Sequence, residues 1–76
     1  METRVKIYCV TDEICSLIKK VLSKHKINSK CENYTELSVS KSIDDIISEC
    51  KNSADIIILD QELDKEFKQR MVMTLN

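Results

Sequence analysis

The heptapeptide Ala54-Asp55-Ile56-Ile57-Ile58-Leu59-Asp60 holds the clearest structural signal in the chain. Its four consecutive large apolar residues, three of them β-branched, are too few for an ordinary helix. They suit a strand covered on both faces, as in a parallel sheet. The run ends on a carboxylate, Asp60, and open α/β sheets place their chemistry at the carboxyl ends of parallel strands. A second strand is expected over Val5–Val10, where Val5, Ile7 and Cys9 alternate with Lys6, Tyr8 and Val10. It too runs into acid, at Asp12 and Glu13.

Between these strands lies the strongest helical pattern. Ile14, Leu17, Ile18, Val21 and Leu22 recur at helical spacing opposite lysines, so a helix is expected from about Glu13 to Lys24. Asp12 is placed to cap it and to face the positive end of its dipole. His25 falls at the frayed end as a solvated residue. Asn28 can turn the chain, and Ser29–Thr35 reads as a short polar strand suited to a sheet edge. Leu37 and Val39 either prolong that strand or plug the following loop. Ser42-Ile43-Asp44-Asp45 resembles a capped helix start, and Ile43, Ile46, Ile47 and Cys50 mark a second helix to about Lys51. Leu63, Phe67, Met71 and Leu75 repeat every four residues, giving a third helix from about Leu63 to the chain end.

Strand–helix alternation of this kind implies parallel strands with crossover helices. The expected fold is a single α/β domain over residues 1–76, with a three-stranded parallel sheet in the order 2-1-3 and three helices. Seventy-six residues are near the lower limit for a self-sufficient core. With only three aromatic residues in the chain, that core is expected to be aliphatic. Gly and Pro are both absent, which excludes a Gly-rich phosphate loop and leaves the turns to Asn, Asp and Ser. A formal charge of −1 gives no electrostatic reason to expect nucleic acid. The cluster Lys19, Lys20, Lys24, Lys26 and Lys30 reads as a solvated face. The longest apolar run is far below the ~20 residues a membrane span needs, and no secretory signal is read. A cytoplasmic protein without a membrane partner is expected. Cys9, Cys15, Cys31 and Cys50 contain no Cys-x-x-Cys pair, so they are expected as reduced, small hydrophobic residues.

In the 2-1-3 order, Asp12 and Asp60 leave neighbouring strands at the same end of the sheet, about 4.8 Å apart. Two carboxylates so close repel unless a cation lies between them. Mg²⁺, which takes one or two carboxylates plus waters, is the expected ion, with Glu13 as an additional acid. Such an ion would also orient a phosphoryl group for attack by one of the carboxylates. A separate reading uses the thiols: Cys9 ends a strand and Cys15 opens a helix, where thiol pKa falls, as in a small thiol enzyme.

Val10-Thr11-Asp12-Glu13 resembles the Val-Asp-Asp-Glu segment that closes the first strand of response-regulator receiver domains. Ala54–Asp60 resembles their third strand, which ends in the phospho-accepting aspartate. The 48-residue separation of Asp12 and Asp60 and the element order also resemble that family. The resemblance covers the first three βα units of its usual five, a truncated flavodoxin-like arrangement. It implies Asp60 as phospho-acceptor, Asp12 as Mg²⁺ ligand and the Glu62 backbone carbonyl as a further ligand. It also implies a two-component phosphorelay module acting through protein–protein contact rather than catalysis in its own right. Thr11 stands where the family has a first acid. Gln61-Glu62-Leu63-Asp64 replaces its usual Met-Pro and Asp-Gly pieces. The fourth and fifth strands, with their hydroxyl residue and lysine, have no counterpart in the 76 residues. The expected alternatives are a fragment of a longer protein, a non-phosphorylated pseudo-receiver, or a homodimer formed through the third-strand edge.

Overall fold

The computed structural model describes residues 3–75, and for Leu75 the backbone only. Its elements are β1 (Val5–Cys9), α1 (Asp12–Lys24), β2 (Ser29–Asn33), α2 (Tyr34–Ser40), α3 (Ile43–Ser53), β3 (Ile56–Leu59) and α4 (Lys65–Leu75). The three strands form one parallel sheet in the order β2-β1-β3. Val5 pairs with Ser29 on one side and Ile56 on the other, and Tyr8 with Glu32 and Leu59. The expected α/β class and strand order are therefore present, and the polar strand does lie at an edge.

Strand alternation divides the core in two. Ile7 and Cys9 face α1 and pack with Cys15, Ile14, Ile18, Leu22, Cys31 and Ile58. Tyr8, Ile57 and Leu59 face the other way, toward Ile46, Ile47 and Cys50 of α3 and Phe67 and Met71 of α4. This second core is centred on the chain's three aromatic rings, contrary to the aliphatic interior expected. Phe67 stacks on Tyr34 with centroids 4.3 Å apart and meets Tyr8 edge-on at 5.7 Å. Residues 8, 34 and 67 meet because the strand order stacks three distant segments on one face. Burial, together with a hydrogen bond to Cys50, pushes the Tyr8 hydroxyl far above its usual range and keeps it neutral.

There are four helices among the described residues, not three. The segment read as the end of a strand, Tyr34 and Thr35, is the start of α2. Asn33 caps it, its Oδ1 accepting from the Glu36 backbone N–H at 3.2 Å. Tyr34 and Leu37 reach the core from one helix face, while Val39 is exposed. α1 is capped by Thr11, whose hydroxyl accepts from Ile14 N–H, and Asp12 is its first residue rather than its cap. Its apolar stripe is wider than the sheet covers, so Leu17 and Val21 remain exposed. α3 runs to Ser53, two residues beyond the expected end, and α4 starts at Lys65 rather than Leu63. The Leu75 side chain and Asn76, parts of the expected repeat and helix end, lie outside the described residues.

The turn after α1 falls on Lys26, not on Asn28. Lys26 takes a left-handed backbone, φ 60°. Ile27 N–H then bonds to Leu22 O at 2.9 Å and Lys26 N–H to Ser23 O at 3.0 Å, the paired bonds that close a helix with a left-handed residue. A side chain in this conformation costs about 1–2 kcal/mol, partly offset in Gly by unfolded-state entropy. Lys26→Gly is therefore expected to stabilise the fold by roughly 0.5–1 kcal/mol, read from the urea midpoint; destabilisation would contradict this account of the turn.

The amino ends of β1 and β3 are tied by Arg4 and Asp55. Arg4 N–H donates to Asp55 Oδ2 at 2.9 Å, and its guanidinium Nη2 meets Oδ1 at 3.2 Å. These bonds hold the exposed Asp55 carboxyl below its usual value of 3.8. A depressed carboxyl favours the fold above its unfolded pKa and loses that contribution as pH falls through the folded value. The Asp55 titration midpoint, followed by carboxyl carbon NMR, is expected below 3.8 and should rise toward it in Arg4→Gln.

Candidate functional site

The carboxyl end of the sheet gathers Val10 after β1, Asn33 ending β2 and Asp60 after β3. Asp60 extends the ladder by one bond, its N–H donating to Tyr8 O at 2.9 Å, and so stands on the strand next to β1. Its side chain is 8% exposed, the one charged group buried among the described residues. Burial of a carboxylate requires partners, and two backbone donors supply them. Oδ2 accepts from Val10 N–H at 3.3 Å, and Oδ1 accepts from Glu62 N–H at 3.0 Å. Asp60 thereby holds the β1–α1 connection and its own turn. That turn is closed by Leu63 N–H on Asp60 O and by Lys68 Nζ, which donates to Gln61 O at 2.8 Å.

Asp12 leaves the same end of the sheet but turns toward β2. Its Oδ1 accepts from Asn33 Nδ2 at 3.0 Å. Asn33 thus serves two elements at once, capping α2 through its oxygen and holding Asp12 through its nitrogen. Thr35 ties the cluster further, donating from its hydroxyl to Val10 O at 3.2 Å. Glu13 and the Glu62 side chain are exposed, and Glu62 enters the cluster through its backbone. Asp12 and Asp60 therefore share an end of the sheet, while their hydrogen bonds hold them toward different strands.

Among the described residues no group of three His, Cys, Asp or Glu side chains is arranged to hold a metal ion. The oxygen donors still match Mg²⁺ chemically, since that ion needs only one or two carboxylates with water. Each Asp60 oxygen retains a lone pair beyond its amide bond, and Asp12 Oδ1 retains one beside its bond to Asn33. Two recesses lie away from Asp60. One lies along α1 beside Asp12 and Glu13. Another, of about 390 Å³, opens at the far end of the sheet between Arg4, Lys6, Ser29 and Lys30.

The cysteines are not all reduced, as expected from spacing, because Cys9 and Cys15 form a disulfide with Cα atoms 5.9 Å apart. The end of β1 and the first turn of α1 fold back on each other, so a pair six residues apart comes together without a Cys-x-x-Cys motif. Cys31 and Cys50 are free thiols. Asn33 and Thr35 also join the site; for Asn33 the sequence signal is Asn33-x-x-Glu36, which has the form of a capping box. No helix is long and apolar enough to cross a membrane among the described residues. Comparison of the chain with family models, with curated proteins and with solved structures returned no match.

Proposed function

We propose that the chain is a receiver-like signal-transduction module that acts through contact with another protein, with Asp60 as acceptor of a phosphoryl group. One observation carries this reading. The Asp60 carboxylate bonds to the Val10 N–H, and the carbonyl of Val10 accepts from Thr35 on α2. Modifying an Asp60 oxygen removes an acceptor from Val10 and so reaches the β1–α1 connection and α2. Asp60 is the nucleophile in this scheme, and Asp12 is the second carboxylate beside it. Mg²⁺, when bound, supplies charge compensation and orientation for the incoming phosphoryl oxygens. Asp12, Asp60 and the Glu62 carbonyl would hold it, with Glu13 at the rim. The reading places the module in the cytoplasm. Its partner is a signalling protein, another domain of a longer chain, or a second copy at the open β3 edge, where Ile56 is 51% exposed.

A second reading is favoured by the same bonds. Both Asp60 oxygens are already engaged by backbone N–H groups, as in a purely structural carboxylate of a pseudo-receiver that binds partners without phosphorylation. Titration with Mg²⁺ and then beryllofluoride, followed by amide NMR, separates the two. The first reading expects shifts centred on Val10, Asp12, Thr35 and Asp60, lost in Asp60→Asn and weakened in Asp12→Asn. Silence at those amides in a folded protein selects the second.

A further inference from the structure

Three of the four cysteines share one face of the sheet. Cys9 and Cys15 are 0% and 4% exposed, and Cys31 packs against them while remaining partly exposed on β2. Cys50 lies on the opposite face, in the aromatic core. Register sets the arrangement. Ile7 pairs with Cys31 and Cys9 with Asn33, so Cys31 lies on the strand beside Cys9, two residues back and on the same face. Its thiol donates to the backbone carbonyl of Cys15 at 3.2 Å, which brings the free sulfur to the residue that carries half of the disulfide.

We propose that Cys9, Cys15 and Cys31 form a thiol–disulfide exchange site, in which Cys31 is the thiol through which low-molecular-weight thiols and disulfides reach the buried pair. The exposure gradient sets the route. The disulfide sulfurs are sealed between β1 and α1, and the accessible sulfur of the cluster is that of Cys31. In the reductive direction the Cys31 thiolate attacks Cys15 Sγ. The Cys9–Cys15 bond breaks, a Cys15–Cys31 bond forms, and Cys9 leaves as a thiolate that takes up the proton Cys31 gave up. One external thiol then attacks Cys31 Sγ, freeing Cys15 as a thiol and leaving a mixed disulfide on Cys31. A second external thiol releases the external disulfide and restores the Cys31 thiol. The net change is one protein disulfide plus two thiols to two protein thiols plus one external disulfide, and oxidation runs the same steps backwards.

The site accommodates both states. The Glu32 carbonyl stands 3.8 Å from Cys15 Sγ, an acceptor ready for the thiol that reduction creates. Burial raises the Cys31 thiol above its usual 9.0, with Lys19 opposing and Glu32 and Asp12 reinforcing the rise. Since the thiolate is the attacking species, exchange quickens as the solution becomes more alkaline. The site is separate from the reading of Asp60 given above and stands without it.

The test is reduction of the oxidised full chain by reduced glutathione, followed by mass mapping of each cysteine. The first glutathione adduct is expected on Cys31, appearing together with the Cys15 thiol and after that of Cys9. Cys31→Ser, checked as folded by its amide spectrum, is expected to slow release of that pair by about tenfold or more, as loss of an entry thiol requires. Cys50→Ser serves as the control and keeps the wild-type rate. Blocking the Cys31 thiol of the wild-type protein by alkylation should reproduce the slowing without a substitution. Unchanged rates in both the variant and the alkylated protein, or a first adduct on Cys9 or Cys15, would overturn the proposal. So would failure of oxidised glutathione to form the Cys9–Cys15 bond in the reduced chain.

Discussion

Phe67→Ala is expected to remove a large part of the stability of this domain. Phe67 is fully buried, with Tyr34 stacked on one side and Tyr8 edge-on at the other. Truncation deletes the ring on which both tyrosines rest and leaves a hole bounded by α3, α4 and β1, elements that a short sheet holds apart. Phe→Ala changes in cores cost about 3–5 kcal/mol. A chain of 76 residues has a total of roughly 4–11 kcal/mol on per-residue averages. The variant should thus be largely unfolded if the total lies at the low end of that range, and at the high end should melt with a urea midpoint lower by about a quarter or more. Phe67→Leu, which refills much of the volume, should lose only about 1–1.5 kcal/mol. A Phe67→Ala loss below about 1 kcal/mol would mean that the aromatic cluster is not what joins α4 to the sheet.

Asp60→Ala is expected to be the next most damaging change, on structural grounds alone. It leaves the Val10 and Glu62 N–H groups, in partly buried bonds, without their acceptor. Hydrogen bonds to charged groups contribute about 1.5–3 kcal/mol, and an orphaned buried donor about 1–3. Because the turn can relax toward solvent on the Glu62 side, the expected loss is roughly 2–4 kcal/mol. Amide exchange should quicken most at Val10 and Glu62, while the centre of β1 changes only with global stability. Asp60→Asn keeps one carbonyl acceptor and should lose about half as much. If exchange at Val10 is unaltered in Asp60→Ala, the carboxylate is not what holds the β1–α1 connection.

The sheet was legible because its signals are local and redundant. The run Ile56–Leu59 is too short for a helix, Val5–Cys9 alternates, and polarity sends Ser29–Asn33 to an edge. The chemistry at the strand ends was legible only as residue type. Asp60 follows a strand, so its position comes from topology, but its two amide partners come from the path of separate loops. The direction of Asp12 depends on Asn33, twenty-one residues away. The sequence of α2 is ambiguous between strand and loop because Leu37 and Val39 mimic a two-residue period. The capping pair Asn33 and Glu36 outweighs that alternation once Tyr34 and Leu37 find the core together. The disulfide joins a strand end to a helix turn, and no short spacing motif marks such a pair. The aromatic cluster is likewise a product of topology, since residues 8, 34 and 67 are neighbours only after the chain has crossed over twice.

Asn33 makes the carboxyl end of the sheet sensitive to the exchange of a single group. Its side-chain oxygen faces a backbone donor on α2, and its nitrogen faces the Asp12 carboxylate. Hydrolysis of that amide to an acid would keep the cap, because aspartate accepts from a helix N–H as asparagine does. The donor held against Asp12 would become a second negative oxygen, and the two carboxylates would repel. An Asn33→Asp exchange would therefore spare α2 and drive Asp12 off β2, selectively freeing one side chain at the end of the sheet.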